Sequence, residues 1–218
     1  MSSTAVLDAD RARAWVEAFL TAVDAERLAL GELDRQAGDG DYGSNLQTAV
    51  ARIREALGEA SASVAEPFAA VSSGFMQTGG TSGPLFGMYF RAFARAGRDA
   101  AAASGDAAGA TLDVAALATA AQGGVDAVMR LGRAKLGDKT MVDAMVPAAQ
   151  ALQAAADSGA ALADALASAG AAARGGAEET ADLVARRGRA SYVGDVARGV
   201  IDPGAVTVAL LFECYPVA

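Results

Sequence analysis

Histidine is absent from the 218 residues. That absence removes Ser-His-Asp and Cys-His nucleophilic machinery, histidine-ligated zinc and any phosphohistidine relay from this chain. A lone cysteine, Cys214, leaves no internal disulfide and no thiolate cluster for zinc. Cations are outnumbered, 18 Lys and Arg against 26 Asp and Glu, for a net charge of −8. Arginines such as Arg91, Arg95 and Arg98 are spread along helical stretches, so no nucleic acid is expected as partner, since a polyanion binder needs clustered cations to displace counterions. No apolar run approaches the ~20 residues of a membrane span. The first residues carry neither a basic nor an apolar leader segment. No membrane association is expected, and a cytoplasmic location is. Whatever chemistry occurs must use carboxylates, amides and cations.

What the chain has in quantity is apolar material, 53% hydrophobic against 20% charged residues, enough to offset backbone ordering in one core. A single domain over residues 1–218 is expected. Alanine dominates and β-branched residues are sparse before the C-terminal segment, so the chain reads as all-helical. In 8–30, Val16, Phe19, Leu20 and Val23 share a face, and in 44–58 so do Leu46, Val50, Ile53 and Leu57. Further helices are expected at about 65–78, 83–104, 111–130, 142–157, 160–173, 176–187 and 203–215, eight or nine in all. The last of these has strand-like residues, but Asp202-Pro203-Gly204 before it supplies an acidic N-cap and a proline in the first turn, which favours helix.

Asp34, Asp39 and Asp41 crowd into eight residues between two amphipathic helices. They are either a solvated turn or a site for a hard cation, Mg²⁺ or Ca²⁺, with glycines letting the acids converge. An EF-hand starting at Asp39 fails, because Gly43, Ser44 and Val50 stand where an acid or amide, glycine and glutamate are needed. Gly38-Asp39-Gly40-Asp41-Tyr42-Gly43 spells a dinucleotide fingerprint, but it follows a helix and sets two acids against the phosphates. A bridging Mg²⁺ would turn that clash into a site.

Gly79-Gly80-Thr81-Ser82-Gly83-Pro84 precedes an apolar helix, which makes it either an anion site of free N–H groups and hydroxyls or a plain helix start capped by Ser82. Residues 132–141 are one residue too long for a Walker A loop; they are either a basic loop closing over a nucleotide or a surface loop with solvated lysines. Arg189, in Gly188-Arg189-Ala190-Ser191-Tyr192, is either a phosphate partner or a solvated surface residue.

The ordered set of these motifs, spread over about residues 10–215, resembles the nucleotide-binding L subunits of dihydroxyacetone kinases. The resemblance implies a barrel of eight antiparallel helices with the nucleotide, ADP or ATP, in the loops at one end. It implies that Asp34, Asp39 and Asp41 ligate two Mg²⁺ and carry the catalysis. Tyr42, where many members have histidine, Ser44 and Asn45 would continue that loop. Thr81 and Ser82 would cradle phosphate, Gly132 and Met141 would border adenine, and Arg189, Asp202, Pro203 and Gly204 would complete the pocket.

The implied activity is phosphoryl transfer to dihydroxyacetone held on a separate K subunit, without which this chain is inactive. By the family's organisation, a free-standing L chain favours bound ADP recharged by a phosphohistidine M subunit of the sugar phosphotransferase system. Direct use of ATP for a related sugar, or sensing of nucleotide state as partner of a transcription regulator, are the alternatives.

Overall fold

The computed structural model describes residues 6–58 and 61–216. Among them there is no strand, only one antiparallel bridge between Leu7 and Leu112. The helices are α1 (Ala9–Ala37), α2 (Tyr42–Leu57), α3 (Ala65–Met76), α4 (Ser82–Ser104), α5 (Val114–Gly132), α6 (Val142–Ser158), α7 (Leu162–Glu179), a four-residue α8 (Ala190–Val193) and α9 (Pro203–Glu213). Two 3-10 turns, Thr180–Asp182 and Gly194–Ala197, flank α8. No helix among the described residues is long and apolar enough to cross a membrane.

Side-chain carboxylates start three of the helices. Asp8 accepts from the Arg11 amide at 2.8 Å, Asp113 from Ala116 at 2.8 Å and Asp202 from Ala205 at 2.7 Å, each satisfying an orphan N–H of the first turn. Asp202 with Pro203 thus opens α9 as a helix, as the sequence predicts. The apolar stripes of α1 and α2 are buried. Trp15 of α1 meets Phe68 of α3 edge-on and lies against Phe212 of α9, ring centroids 5.7 and 6.2 Å apart. Its indole N–H donates to the Leu211 carbonyl at 2.6 Å. Phe75 of α3 stacks on Phe86 and Phe90 of α4.

Each long helix packs on the next, α7 on α9, and α9 returns to α1, so eight helices close a ring around this aromatic core. The all-helical barrel is therefore the observed fold. One expectation fails: 160–173 and 176–187 are not two helices. α7 runs through Gly175 and Gly176, and the chain beyond Glu179 is a 3-10 turn and loop. A Cβ on Gly176 would lie 2.1 Å from the Asp143 carbonyl oxygen, so this glycine is there for close packing on α6 rather than as a break. The first helix also runs seven residues further than its apolar stripe, to Ala37.

Candidate functional site

The carboxyl ends of α1, α3 and α5 and the amino ends of α2, α4, α6 and α9 line one open cavity of about 1200 Å³. Sequence-adjacent helices contribute opposite ends, so these neighbours run antiparallel. Every candidate residue of the sequence lines this cavity except Ser44. Ser44 is exposed and donates to the Asp41 carbonyl at 2.8 Å.

The acidic wall comes from α1, α2 and the short loop between them. Asp34 accepts from the Tyr42 amide at 3.0 Å. Asp39 is ion-paired with Arg189. Asp41 sits at the N-cap of α2 but makes no capping bond, leaving its carboxylate uncommitted at a helix N-terminus. Among the described residues no three acidic side chains converge into a ready-made metal cage. The donor set, oxygen only with no nitrogen or sulfur, is nonetheless that of a hard divalent cation, and the residues fit Mg²⁺ on that chemistry.

The second wall is the turn between α3 and α4. Gly80 has φ +81°, and a Cβ there would lie 2.9 Å from Asn45 Nδ2, so the turn approaches α2 as closely as glycine permits. α4 begins at Ser82 itself, and Thr81 at the cap position makes no capping bond. The capping role open to Ser82 in the sequence is thus not adopted, because the helix starts one residue earlier than that role requires. Both residues line the cavity beside the free amides of the first turn of α4.

The third wall joins the α5–α6 loop to the start of α9. Gly132 lies against Leu85, and Gly204 against Met141. The reading of this loop as one with solvated lysines is corrected for Lys139. Lys135 is exposed, but Lys139 is 2% exposed, with φ +61°. Its ammonium donates to the carbonyls of Thr180 and Val200. Burial lowers its pKa, against the pull of Asp202, Asp143 and Asp182.

Asp143, in the first turn of α6, accepts from the amides of Gly137 and Thr140 and is pushed up by burial. Burial likewise raises the Asp202 carboxyl to about 7, opposed by its bond from Ala205 and by Lys139.

Tyr42 turns into the ring, where its hydroxyl meets Thr207 of α9 at 2.8 Å. Thr207 in turn donates to the Pro203 carbonyl at 2.9 Å, so the phenol must be the donor of the pair. Burial holds that phenol well above its usual pKa, and the acidic wall is thereby tied to the start of α9. Lys139, Asp143 and Thr207 are the residues that sequence reasoning missed. One signal was available: among 18 basic residues only Lys135 and Lys139 are lysines.

A helical barrel with carboxylates and a glycine turn gathered at helix N-termini defines a class of anion-handling, metal-compatible site. The DAK2 domain family model matches residues 36–215. The chain is 30% identical over 208 residues to the PEP-dependent dihydroxyacetone kinase 1, ADP-binding subunit DhaL, of Listeria innocua, covering 94% of both. It is 33% identical to the PEP-dependent dihydroxyacetone kinase ADP-binding subunit of Escherichia coli over 85% of both. This chain belongs to the DAK2-domain family.

It is also 38% identical to the L-erythrulose 1-kinase of Mycolicibacterium smegmatis over 91% of this chain, but that match spans only 34% of the relative. The solved dihydroxyacetone kinase of C. freundii in complex with AMP-PNP and Mg²⁺ superimposes with TM-score 0.62 and 28% identity, over 92% of this chain and 32% of the other. The chain therefore spans about a third of these larger kinases.

Proposed function

We propose that this chain is the nucleotide-binding subunit of a dihydroxyacetone kinase, a single phosphotransferase domain over residues 1–218 that completes its reaction only with a separate K subunit. The observation that carries this reading is one cavity holding both the Asp34, Asp39 and Asp41 wall and the Gly79–Gly83 turn at the N-terminus of α4. Carboxylates alone would repel a phosphate, and a helix N-terminus attracts one. The two belong together if cations bridge them.

In this reading Asp34, Asp39 and Asp41 hold two Mg²⁺, which when bound neutralise and align the transferring phosphoryl group. Thr81, Ser82 and the amides of their turn hold phosphate oxygens. Asn45 supports that turn from α2, and Tyr42 holds the acidic wall to α9 through Thr207. Arg189, already beside Asp39, supplies a guanidinium to the phosphates. Gly132, Met141, Asp202, Pro203 and Gly204 border the base. The ketone is anchored on the K subunit, outside this chain.

For the phosphoryl source, near full-length similarity to stand-alone subunits supports tightly bound ADP recharged by a phosphohistidine M subunit. One such relative is the PTS-dependent ADP-binding subunit of Lactococcus lactis, 33% identical over 95% of this chain and 96% of that one. The 38% identity to an erythrulose kinase favours a second reading, direct ATP use for a related sugar.

Purification without added nucleotide, followed by denaturation and quantification of what is released, separates them. Near-stoichiometric ADP surviving dialysis is expected. An empty protein that binds ATP reversibly favours the second reading, and one that binds neither nucleotide overturns both. Addition of K subunit and dihydroxyacetone to the charged protein is then expected to yield phosphorylated product.

A further inference from the structure

Lys139 is the buried cation among the described residues, and it stands in a backbone conformation that residues other than glycine rarely adopt. Both features cost free energy, since an ammonium out of water needs full compensation and an apolar side chain would fill the space more cheaply.

The compensation joins three separate stretches of chain. The ammonium, carried on the α5–α6 loop, donates to Thr180, directly after α7, and to Val200, directly before α9. Thr180 also accepts the Asp202 amide on its hydroxyl at 2.8 Å, and Asp202 caps α9. Lys139 is therefore tied to the leading side of the turn Asp202–Pro203–Gly204, directly at Val200 and through Thr180 at the Asp202 amide, while two residues along its own loop Met141 lies against Gly204.

An ammonium has three donors in a compact tetrahedral head, which suits two carbonyls and adjacent carboxylates; a planar guanidinium fork keeps the charge but matches that arrangement less well.

We propose that Lys139 is a positioning residue for nucleotide binding: its ammonium fixes the α9 N-terminal turn against the α5–α6 loop, at the separation at which Met141, Pro203 and Gly204 grip the base. The inference rests on the nucleotide-site reading above.

The test is calorimetric titration of ADP with Mg²⁺ into nucleotide-free chain, at a temperature where circular dichroism shows full helicity. Lys139→Met is expected to weaken ADP binding about 10- to 100-fold, the range set by losing hydrogen bonds from a charged donor. Lys139→Arg, which keeps the charge, is expected to recover part of the loss.

A lower melting temperature with unchanged affinity of the folded protein would mean a purely structural role and overturn the proposal. Wild-type chain that binds no ADP at all would overturn the site reading itself, which is a distinguishable result. Should Lys139→Met not fold, isotope-labelled lysine gives two side-chain signals in the wild-type protein. The Lys139 signal is expected to shift on saturation with ADP and Mg²⁺ while that of exposed Lys135 stays; an unmoved Lys139 signal overturns the proposal.

Discussion

Replacing Asp202 by asparagine is expected to make the nucleotide-free protein more stable at alkaline pH while weakening its function. The carboxyl is raised from its ordinary 3.8 to about 7, first by burial and then by the charges of Asp143 and Asp34. A raised carboxyl binds its proton more tightly folded than unfolded. Its favourable contribution is therefore complete below about pH 4 and lost as pH rises to about 7.

Three pH units at roughly 1.4 kcal/mol each give an upper bound of about 4 kcal/mol for that loss. Asparagine carries no charge, fills the same space and still offers an oxygen to the Ala205 amide, so the α9 cap survives. Part of the gain is returned because Lys139 loses one of its three acidic neighbours. A net stabilisation of about 1–2 kcal/mol at pH 8 is the expected balance. Urea denaturation at pH 5, 6, 7 and 8 measures it. Between pH 5 and 7 the variant should lose less stability than wild type. Parallel profiles for the two proteins would refute a carboxyl raised by desolvation.

Asp39→Asn and Asp41→Asn are each expected to abolish product formation in a mixture with K subunit and dihydroxyacetone while leaving the helical circular dichroism unchanged; wild-type rates from either would sink the metal role of these residues. Arg189→Ala removes the cation beside Asp39 and is expected to release nucleotide during extensive dialysis; an unchanged ADP content would count against a phosphate contact. Tyr42→Phe deletes the donor to Thr207 and should lower stability by about 1 kcal/mol, read as a shift in urea midpoint. An unshifted midpoint would leave the link between acidic wall and α9 without energetic weight.

Much of the fold was legible because periodicity reports burial directly. Val16, Phe19, Leu20 and Val23 share a face in the sequence and are buried in the ring. Asp202 and Pro203 announced a helix start, since capping is a local interaction. The stretch around Gly176 was illegible because a glycine required by a neighbouring helix looks the same as one that ends a helix.

The site was legible where function needs small or acidic residues in a turn. It was illegible where partners lie far apart in sequence. Nothing local tells that Lys139 reaches Thr180 and Val200, or that Tyr42 meets Thr207, 165 positions away. Nor does spacing reveal that Ser44, inside the acidic motif, turns outward: the first turn of α2 directs its hydroxyl back to the Asp41 carbonyl.

Electrostatics of the cavity lead to one more expected outcome. Four helix N-termini, those of α2, α4, α6 and α9, open onto the cavity, each favouring an anion by about 0.3–1 kcal/mol. Against them stand Asp34, Asp39 and Asp41 on the same lining. One carboxylate about 5 Å from a phosphate charge costs about 3 kcal/mol at an effective dielectric of about 20. Arg189 offsets a single acid, Asp39. The acids win, so ADP affinity in the presence of a chelator is expected to fall at least about 100-fold in calorimetric titrations, recovering when Mg²⁺ is restored. The same repulsion makes a second, opposite forecast. The double variant Asp39→Asn with Asp41→Asn should bind ADP more tightly than wild type when divalent ions are absent, and gain little when they are added. Equal wild-type affinity with and without chelator would mean that the carboxylates do not face the phosphates, and the site reading would have to be rebuilt from the other walls.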